Sequence, residues 1–148
     1  MSIYPITPVP APRMTRRDRW AKRPCVLRYW AFRDEVRLRK VVLPDRCRVT
    51  FVLPMPKSWS MARAYQLDGS PHTQKPDIDN LCKALLDAVF ASDAHIHTLH
   101  AEKIWGERGE IRIEAAHSFE AMVANGRKAW ADVPDASQWV EEQRGAGN

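Results

Sequence analysis

Three aspartates and a lysine near the middle of the chain are the side chains best suited to chemistry. Asp77 and Asp79 are two residues apart, Lys83 follows Asp79 by four residues, and Asp93 comes ten residues after Lys83. In extended backbone an i, i+2 pair directs both carboxylates to one side, and an i, i+4 pair shares one helix face. Carboxylates held close together repel unless a cation lies between them, and oxygen ligands favour Mg²⁺ or Mn²⁺. If the loop with Asp93 doubles back, the set predicts metal-assisted phosphodiester hydrolysis.

The same acidic segment allows other interpretations. An EF-hand loop is excluded, because Leu81 and Cys82 occupy positions that need an oxygen ligand and a glycine. A nucleotide-sugar site would need a glycine-rich turn between a strand and a helix, and the chain has none. The simplest alternative stays open: Asp77 and Asp79 would only cap the start of a helix, with Lys83 pairing along its surface.

Positive charge is concentrated in the first third of the chain. Of the 23 Lys and Arg and the 18 Asp and Glu, residues 1–50 hold 13 and 4, so they carry +9 within a net charge of +5. The planar guanidinium of arginine suits bidentate contacts with phosphate. We expect a polyanionic partner, and the alternative is a solvated basic face without one. The residues expected to contact DNA phosphates are Arg13, Arg16, Arg17, Arg19, Arg33, Arg37 and Lys75.

The acidic segment resembles the signature of the RusA-type Holliday junction resolvases. That signature reads approximately R-x-D-x-D-N-L-x-K-x-x-x-D-A-L, followed after a variable insert by D-D-x-x-V. Residues 75–88 read KPDIDNLCKALLDA, and residues 92–96 read SDAHI. Ser92 stands where the family has the first acid of its Asp-Asp pair. The resemblance extends more weakly over residues 3–115.

The resemblance implies an activity and a set of site residues. The family's three metal-coordinating aspartates fall on Asp77, Asp79 and Asp93, and its catalytic lysine falls on Lys83. Family members are homodimers that resolve four-way DNA junctions by paired, Mg²⁺-dependent nicks during recombination and repair, in bacteria and phages. We therefore expect a homodimeric junction resolvase that uses Mg²⁺, or Mn²⁺ in its place, and no nucleotide cofactor. The alternatives are a broader branched-DNA nuclease and a non-catalytic, basic nucleic-acid-binding protein.

The sequence pattern predicts an α+β fold: a single domain with a small mixed β-sheet packed with helices. Hydrophobic periodicity and proline positions define the elements. We expect a helix over 25 to about 42 stopped by Pro44, a strand over 47–53, a long connection over 54–76, a helix over 78–90 with Asp79 as N-cap, and a hairpin of strands over 97–105 and 110–115.

Length and composition define the domain organisation. A chain of 148 residues suits one domain, so we assign 1–116 to the nuclease domain and 117–148 to a C-terminal extension, partly helical and partly flexible. No apolar run approaches the ~20 residues that a membrane helix needs, and no secretory signal is evident, so we expect a cytoplasmic protein without membrane contact. The cysteines form no C-x-x-C pair and are expected to be reduced core thiols.

A few histidines and tryptophans are secondary candidates. His95, His97 and His100 imitate a zinc motif, but alternate positions on a strand more often carry polar residues than ligands. His95, two residues from Asp93, is a candidate proton shuttle. Trp20 and Trp59 are candidates for stacking on an unpaired base, against the commoner core role of tryptophan.

Overall fold

A four-stranded mixed sheet with helices packed against it forms the fold, as the sequence predicts for an α+β domain. The computed structural model describes residues 1–116, so the predicted C-terminal extension over 117–148 lies outside the described residues. Within residues 1–116, no helix is long and apolar enough to cross a membrane. The elements are β1 (Ser2–Tyr4), α1 (Pro24–Leu38), β2 (Arg46–Pro54), α2 (Met61–Leu67), α3 (Ile78–Val89), β3 (Thr98–Gly106) and β4 (Glu110–Ala115).

The strands lie in the order β1-β4-β2-β3. β2 pairs in parallel with β3 along its whole length and antiparallel with β4 on its other side. The predicted hairpin of the last two strands is therefore wrong, because β2 lies between them. The connection from Gly106 to Glu110 crosses the end of β2, where the Met55 amide donates to the Gly106 carbonyl at 3.0 Å.

The helices α1 and α3 pack on one face of the sheet and bury its alternate residues. In β2 the four side chains on this face, from Cys47 to Leu53, are all at most 6% exposed. Because side chains alternate between the faces of a strand, the other face carries Arg48, Thr50 and Val52. The helices contribute Tyr29, Phe32, Val36, Leu81, Ala84, Leu85 and Ala88 to this core.

Helix α1 begins with Pro24 at its first turn, a position where the missing amide hydrogen costs nothing. It ends at Leu38, earlier than predicted, because Lys40 adopts a left-handed conformation with φ of 52°. Pro44 therefore does not stop the helix. Val41 and Leu43 are buried, but they reach the core from extended backbone after the helix.

The long connection between β2 and α3 contains a short helix, α2, which the sequence pattern does not predict. The Ser60 hydroxyl caps it by accepting from the Arg63 amide at 3.2 Å. None of its residues is buried, so no apolar stripe marks it in the sequence.

Helix α3 belongs to the crossover between two parallel strands, so it runs antiparallel to both. Its first turn lies at the edge of the sheet where β2 and β3 end, and its last turn at the edge where they begin. Its 12 residues span roughly 18 Å at 1.5 Å per residue. Side chains at its two ends are therefore well separated.

The turn that crosses β2 leaves no room for a side chain at Gly109. A Cβ there would overlap the backbone and side chain of Thr7. We expect Gly109→Ala to lower the free energy of unfolding by about 1–3 kcal/mol, the usual cost of overpacking. Chemical denaturation measures this loss. Glu107→Ala, an exposed position in the same turn, is the control, and equal stability of the two variants would contradict the packing around Gly109.

Candidate active site at the first turn of α3

Asp77 and Asp79 lie at the N-terminus of α3. Asp77 is the N-cap residue, in extended backbone with φ of −70° and ψ of 143°, and Asp79 belongs to the first helical turn. The prediction of Asp79 as N-cap is thus wrong by two residues. Because the helix begins at Ile78, only Asp77 has the extended backbone assumed for the pair. Both carboxylates are exposed at the positive end of the helix dipole.

The Asp77 carboxylate does not cap the helix, since it makes no hydrogen bond to the first-turn amides. Its Oδ2 accepts instead from Lys75 Nζ at 2.6 Å. With the two side chains 83% and 48% exposed, this ion pair contributes little to stability and both groups stay open to a ligand. The capping alternative therefore does not account for the Asp77 side chain.

Lys83 lies one turn after Asp79 on α3 and is exposed. The i, i+4 spacing puts both residues on one helix face, as the sequence indicates. Lys83 forms no ion pair with any residue in the described part of the chain. The ammonium group is thus available to an anion bound near the first turn.

Lys103 fixes the loop that leads into Asp77. Its Nζ donates to the carbonyls of Gln74 and Pro76, the latter at 2.6 Å. In β3 it pairs with buried Phe51, so it lies on the face that packs against the helices. No motif in the sequence identifies this residue. The available signal is the charge itself, since Lys103 alternates with Ala101 and Trp105 on a core face.

Asp93 lies at the other end of α3. Its carbonyl accepts from the Ile96 amide at 2.9 Å, and His95 Nε2 lies 3.6 Å from Asp45 Oδ1, just before β2 begins. Asp93 therefore lies at the edge where β2 and β3 start. Among residues 1–116, no three His, Cys, Asp or Glu side chains are close enough to hold one metal ion. The expectation that the Asp93 loop doubles back to Asp77 and Asp79 within one chain is therefore wrong.

An arginine-rich segment, residues 13–23, lies close to the first turn of α3, because the Ala11 amide just before it donates to the Asn80 carbonyl at 3.1 Å. Within this segment, Arg16–Arg19 form a short 3-10 helix around Asp18, which is 5% exposed. Arg23 Nε donates to Asp18 Oδ1 at 2.6 Å. This hydrogen bond holds the pKa of the Asp18 carboxyl well below its usual range. The predicted DNA-contacting residues in this segment are all exposed: Arg13, Arg16, Arg17 and Arg19.

Arg33 and Arg37 are placed differently from the other predicted DNA contacts. Arg37 Nε donates to the Ala88 carbonyl, in the last turn of α3, at 3.4 Å. Arg33 is partly buried, and its Nε has no hydrogen-bond partner within residues 1–116. Cations at a helix C-terminus stabilise the helix, so Arg37 has a structural role there. Arg37 thus lies at the Asp93 end of α3, and Arg33 is one turn before it on α1.

The other candidates fall at separate places. Trp20 is 83% exposed beside the arginine-rich segment, whereas Trp59 packs against Trp105 at a tilt of 58°, with ring centroids 4.7 Å apart. His95 packs edge-on against Phe90, and His97 Nδ1 lies 2.9 Å from Thr98 Oγ1.

Cys47 is buried, as predicted for a core thiol, while Cys25 and Cys82 are partly exposed.

We expect Lys103→Met to loosen the loop before Asp77. The variant keeps the length of the side chain but removes a charged donor shared by two carbonyls, at a cost of about 1–3 kcal/mol. Hydrogen exchange at residues 72–77 should become faster and the melting temperature should fall. Lys57→Met, at an exposed position, is the control. Unchanged exchange at residues 72–77 would show that Lys103 does not hold this loop.

Comparison with known proteins identifies the family of the chain. The family model for endodeoxyribonuclease RusA matches residues 5–115, which include every element from α1 to β4 and all four candidate catalytic residues. Searches of curated proteins and of solved structures gave no match. The match covers more than half of the chain. We conclude that the chain belongs to the RusA endodeoxyribonuclease family.

Proposed function

We propose that the chain is a Mg²⁺-dependent endodeoxyribonuclease that resolves four-way DNA junctions by paired nicks, in recombination and repair within phage or prophage biology. The observation that carries this proposal is the pair of exposed carboxylates at the first turn of α3, next to the arginine-rich segment, in a chain of an endodeoxyribonuclease family. DNA lies in the cell interior, and we propose that the protein acts there.

The donor set fits magnesium. Mg²⁺ usually keeps several waters and is bound through one or two carboxylates together with substrate phosphates. Asp77 and Asp79 supply such carboxylates on an open surface, and DNA would supply the phosphate. Bound there, the ion would lower the pKa of a water molecule and offset charge on the scissile phosphate. Mn²⁺ has similar ligand preferences and would replace it.

The protein side chains have separate tasks in this proposal. Asp77 and Asp79 hold the ion. Lys83, exposed on the same helix face as Asp79, contacts the phosphate and stabilises the negative charge that develops during attack. The four exposed arginines of the arginine-rich segment and Lys75 bind flanking phosphates without reading sequence.

We expect Asp79→Asn to lower junction nicking by about two orders of magnitude or more, because the ion loses a charged ligand. Binding of the junction should be retained or strengthened, since repulsion with phosphate falls. The assay maps nicks on a labelled synthetic junction in Mg²⁺ or EDTA and measures binding by fluorescence anisotropy. Asp34→Asn, exposed on α1, is the matched control.

Four results of such assays would contradict the proposal. Nicking by the wild-type protein in EDTA would remove the metal requirement, and normal nicking by Asp79→Asn would remove the metal site. Binding without any nicking would favour a non-catalytic nucleic-acid-binding protein. Equal nicking of Y-forks and four-way junctions would favour a broader branched-DNA nuclease.

We further propose that Asp93 joins the site from the second chain of a homodimer. Within one chain Asp93 lies at the far end of α3 from Asp77 and Asp79. Carboxylates separated by a helix of 12 residues are too far apart to bind the same ion. Two-fold symmetry makes each contact reciprocal. The first turn of α3 in each protomer would therefore receive Asp93 of its partner, and a dimer would have two equivalent sites for two nicks.

Mixing two inactive variants tests this arrangement. We expect Asp79→Asn and Asp93→Asn, each inactive alone, to recover about one quarter of the wild-type nicking rate after mixing in equal amounts. The reason is that half of the dimers are then mixed, and each has one intact site of two. These dimers should make single rather than paired nicks.

Mixing Asp77→Asn with Asp79→Asn is the control, because both residues lie on one chain's α3 and no mixed dimer has an intact site. Light scattering checks that the protein is a dimer. A mixture of Asp79→Asn and Asp93→Asn that stays inactive, with mixed dimers shown to be present, would exclude a site shared between chains.

A further inference from the structure

A cleft of about 540 Å³ lies beside Asp77, between residues 7–10, the ends of β2 and β3, and residues 72–76. Its volume falls in the range of about 300–1,000 Å³ that is typical of small-molecule sites. Much of its lining consists of flat, rigid groups, five prolines and Trp105. Pro76, which lies in the cleft wall, directly precedes Asp77, so the cleft adjoins the candidate active site.

The aromatic wall of the cleft is held rigidly. The His72 ring lies 3.8 Å from that of Trp105 between centroids, and Trp59 packs on Trp105 from 4.7 Å. The guanidinium of Arg63 covers Trp59 at 4.4 Å from its centroid. The backbone is fixed too, since the His72 amide donates to the Lys103 carbonyl at 3.0 Å. His72 and Trp105 are 5% and 7% exposed.

The wall also carries a polar group. His72 Nδ1 accepts from the Gln74 amide at 3.4 Å, which places the proton of a neutral ring on Nε2. Burial of the ring, together with the nearby Lys103 ammonium, lowers the pKa of His72, so the ring is neutral at pH 7. A neutral donor in a flat apolar wall suits the carbonyl or ring nitrogen of an uncharged heterocycle.

The rim of the cleft is positively charged, as a site for the negative backbone of a nucleic acid would be. Arg28 and Lys75 line it and are exposed. A heterocycle attached to a phosphate-bearing strand fits this combination better than an apolar peptide does, because cations flank the opening while the interior stays uncharged. Stacking of a base on an aromatic side chain tolerates any sequence, since every base has a π-face.

We propose that this cleft binds an unstacked nucleobase of the DNA strand whose phosphate lies at Asp77 and Asp79. The proposal rests on the proposed function for the identity of the strand. It assigns the proline-lined cleft, with the small exposed parts of His72 and Trp105, to holding the base, and Arg28 and Lys75 to its neighbouring phosphates. A base held there would fix the strand next to the carboxylates, and only DNA with unpaired bases supplies one without the cost of unpairing.

Binding of single strands in EDTA tests the cleft without any cleavage. The probes are a fluorescein-labelled eight-residue oligothymidylate and the same strand with all bases replaced by abasic residues, so that the phosphate charge is equal. We expect the wild-type protein to bind the abasic strand about tenfold more weakly, within the range for stacking of one base. In His72→Leu this difference should fall below about threefold, because the ring and its donor are lost.

His100→Leu, an exposed histidine on the sheet face opposite the helices, is the matched control and should keep the wild-type difference. The proposal is overturned if the wild-type protein binds both strands equally, or if His72→Leu keeps the full difference.

A second measurement uses the unaltered protein, in case His72→Leu does not fold. An oligothymidylate with one 5-iodouracil is cross-linked by ultraviolet light, and the modified peptide is identified by mass spectrometry.

Cross-links at His72 or Trp105 support the cleft, and cross-links confined to Trp20 or other surface residues overturn it. Failure of the base-binding proposal is distinguishable from failure of the proposed nuclease function. A protein that nicks junctions in Mg²⁺ but shows no base-dependent binding lacks only the base site, whereas one that binds bases in the cleft but never nicks lacks only the hydrolytic activity.

Discussion

The parallel pairing of β2 with β3 determines where each acidic side chain can lie. A chain that leaves β2 and returns to the start of β3 must cross the sheet, and α3 makes this crossing. The first turn of α3 is then at one edge of the sheet and Asp93 at the other, close to Asp45 before β2. No side-chain movement brings Asp93 to Asp77, because the pairing of two nine-residue strands separates them.

The other parts of the candidate site lie at the edge of the sheet where β2 and β3 end. Lys103 anchors the loop before Asp77, the Ala11 amide joins the arginine-rich segment to α3, and residues 69–72 follow the outer side of β3. Apart from the bonds donated by the Lys103 ammonium, these contacts join backbone to backbone, so they depend on the path of the chain more than on side-chain type. Asp18 also stabilises this arrangement. Its hydrogen bond with Arg23 holds the arginine-rich segment together against the repulsion between its positive charges.

Sequence reasoning predicts the elements with a strong pattern and fails where several chain segments must be compared. The amphipathic α3 is predicted to within one residue and β4 at its observed bounds, because each shows its own period. The hairpin fails because alternation does not reveal a third strand between two neighbours in sequence. Helix α2 is missed because it buries nothing. For the site, residue types and spacing identify Asp77, Asp79 and Lys83, but a local pattern cannot tell that α3 separates Asp93 from them.

A site divided between two chains would also explain why the carboxylates of α3 are left exposed. At the N-terminus of α3, with Asp77 paired to the exposed Lys75, the two carboxylates add only modestly to the stability of a single chain. If the partner's loop completes the ligand set, a monomer that binds duplex DNA through its arginines has an incomplete site. Hydrolysis would then depend on assembly of the dimer, in which both sites are completed by the same contact. In that arrangement the topology of one chain would prevent a lone protomer from cutting DNA.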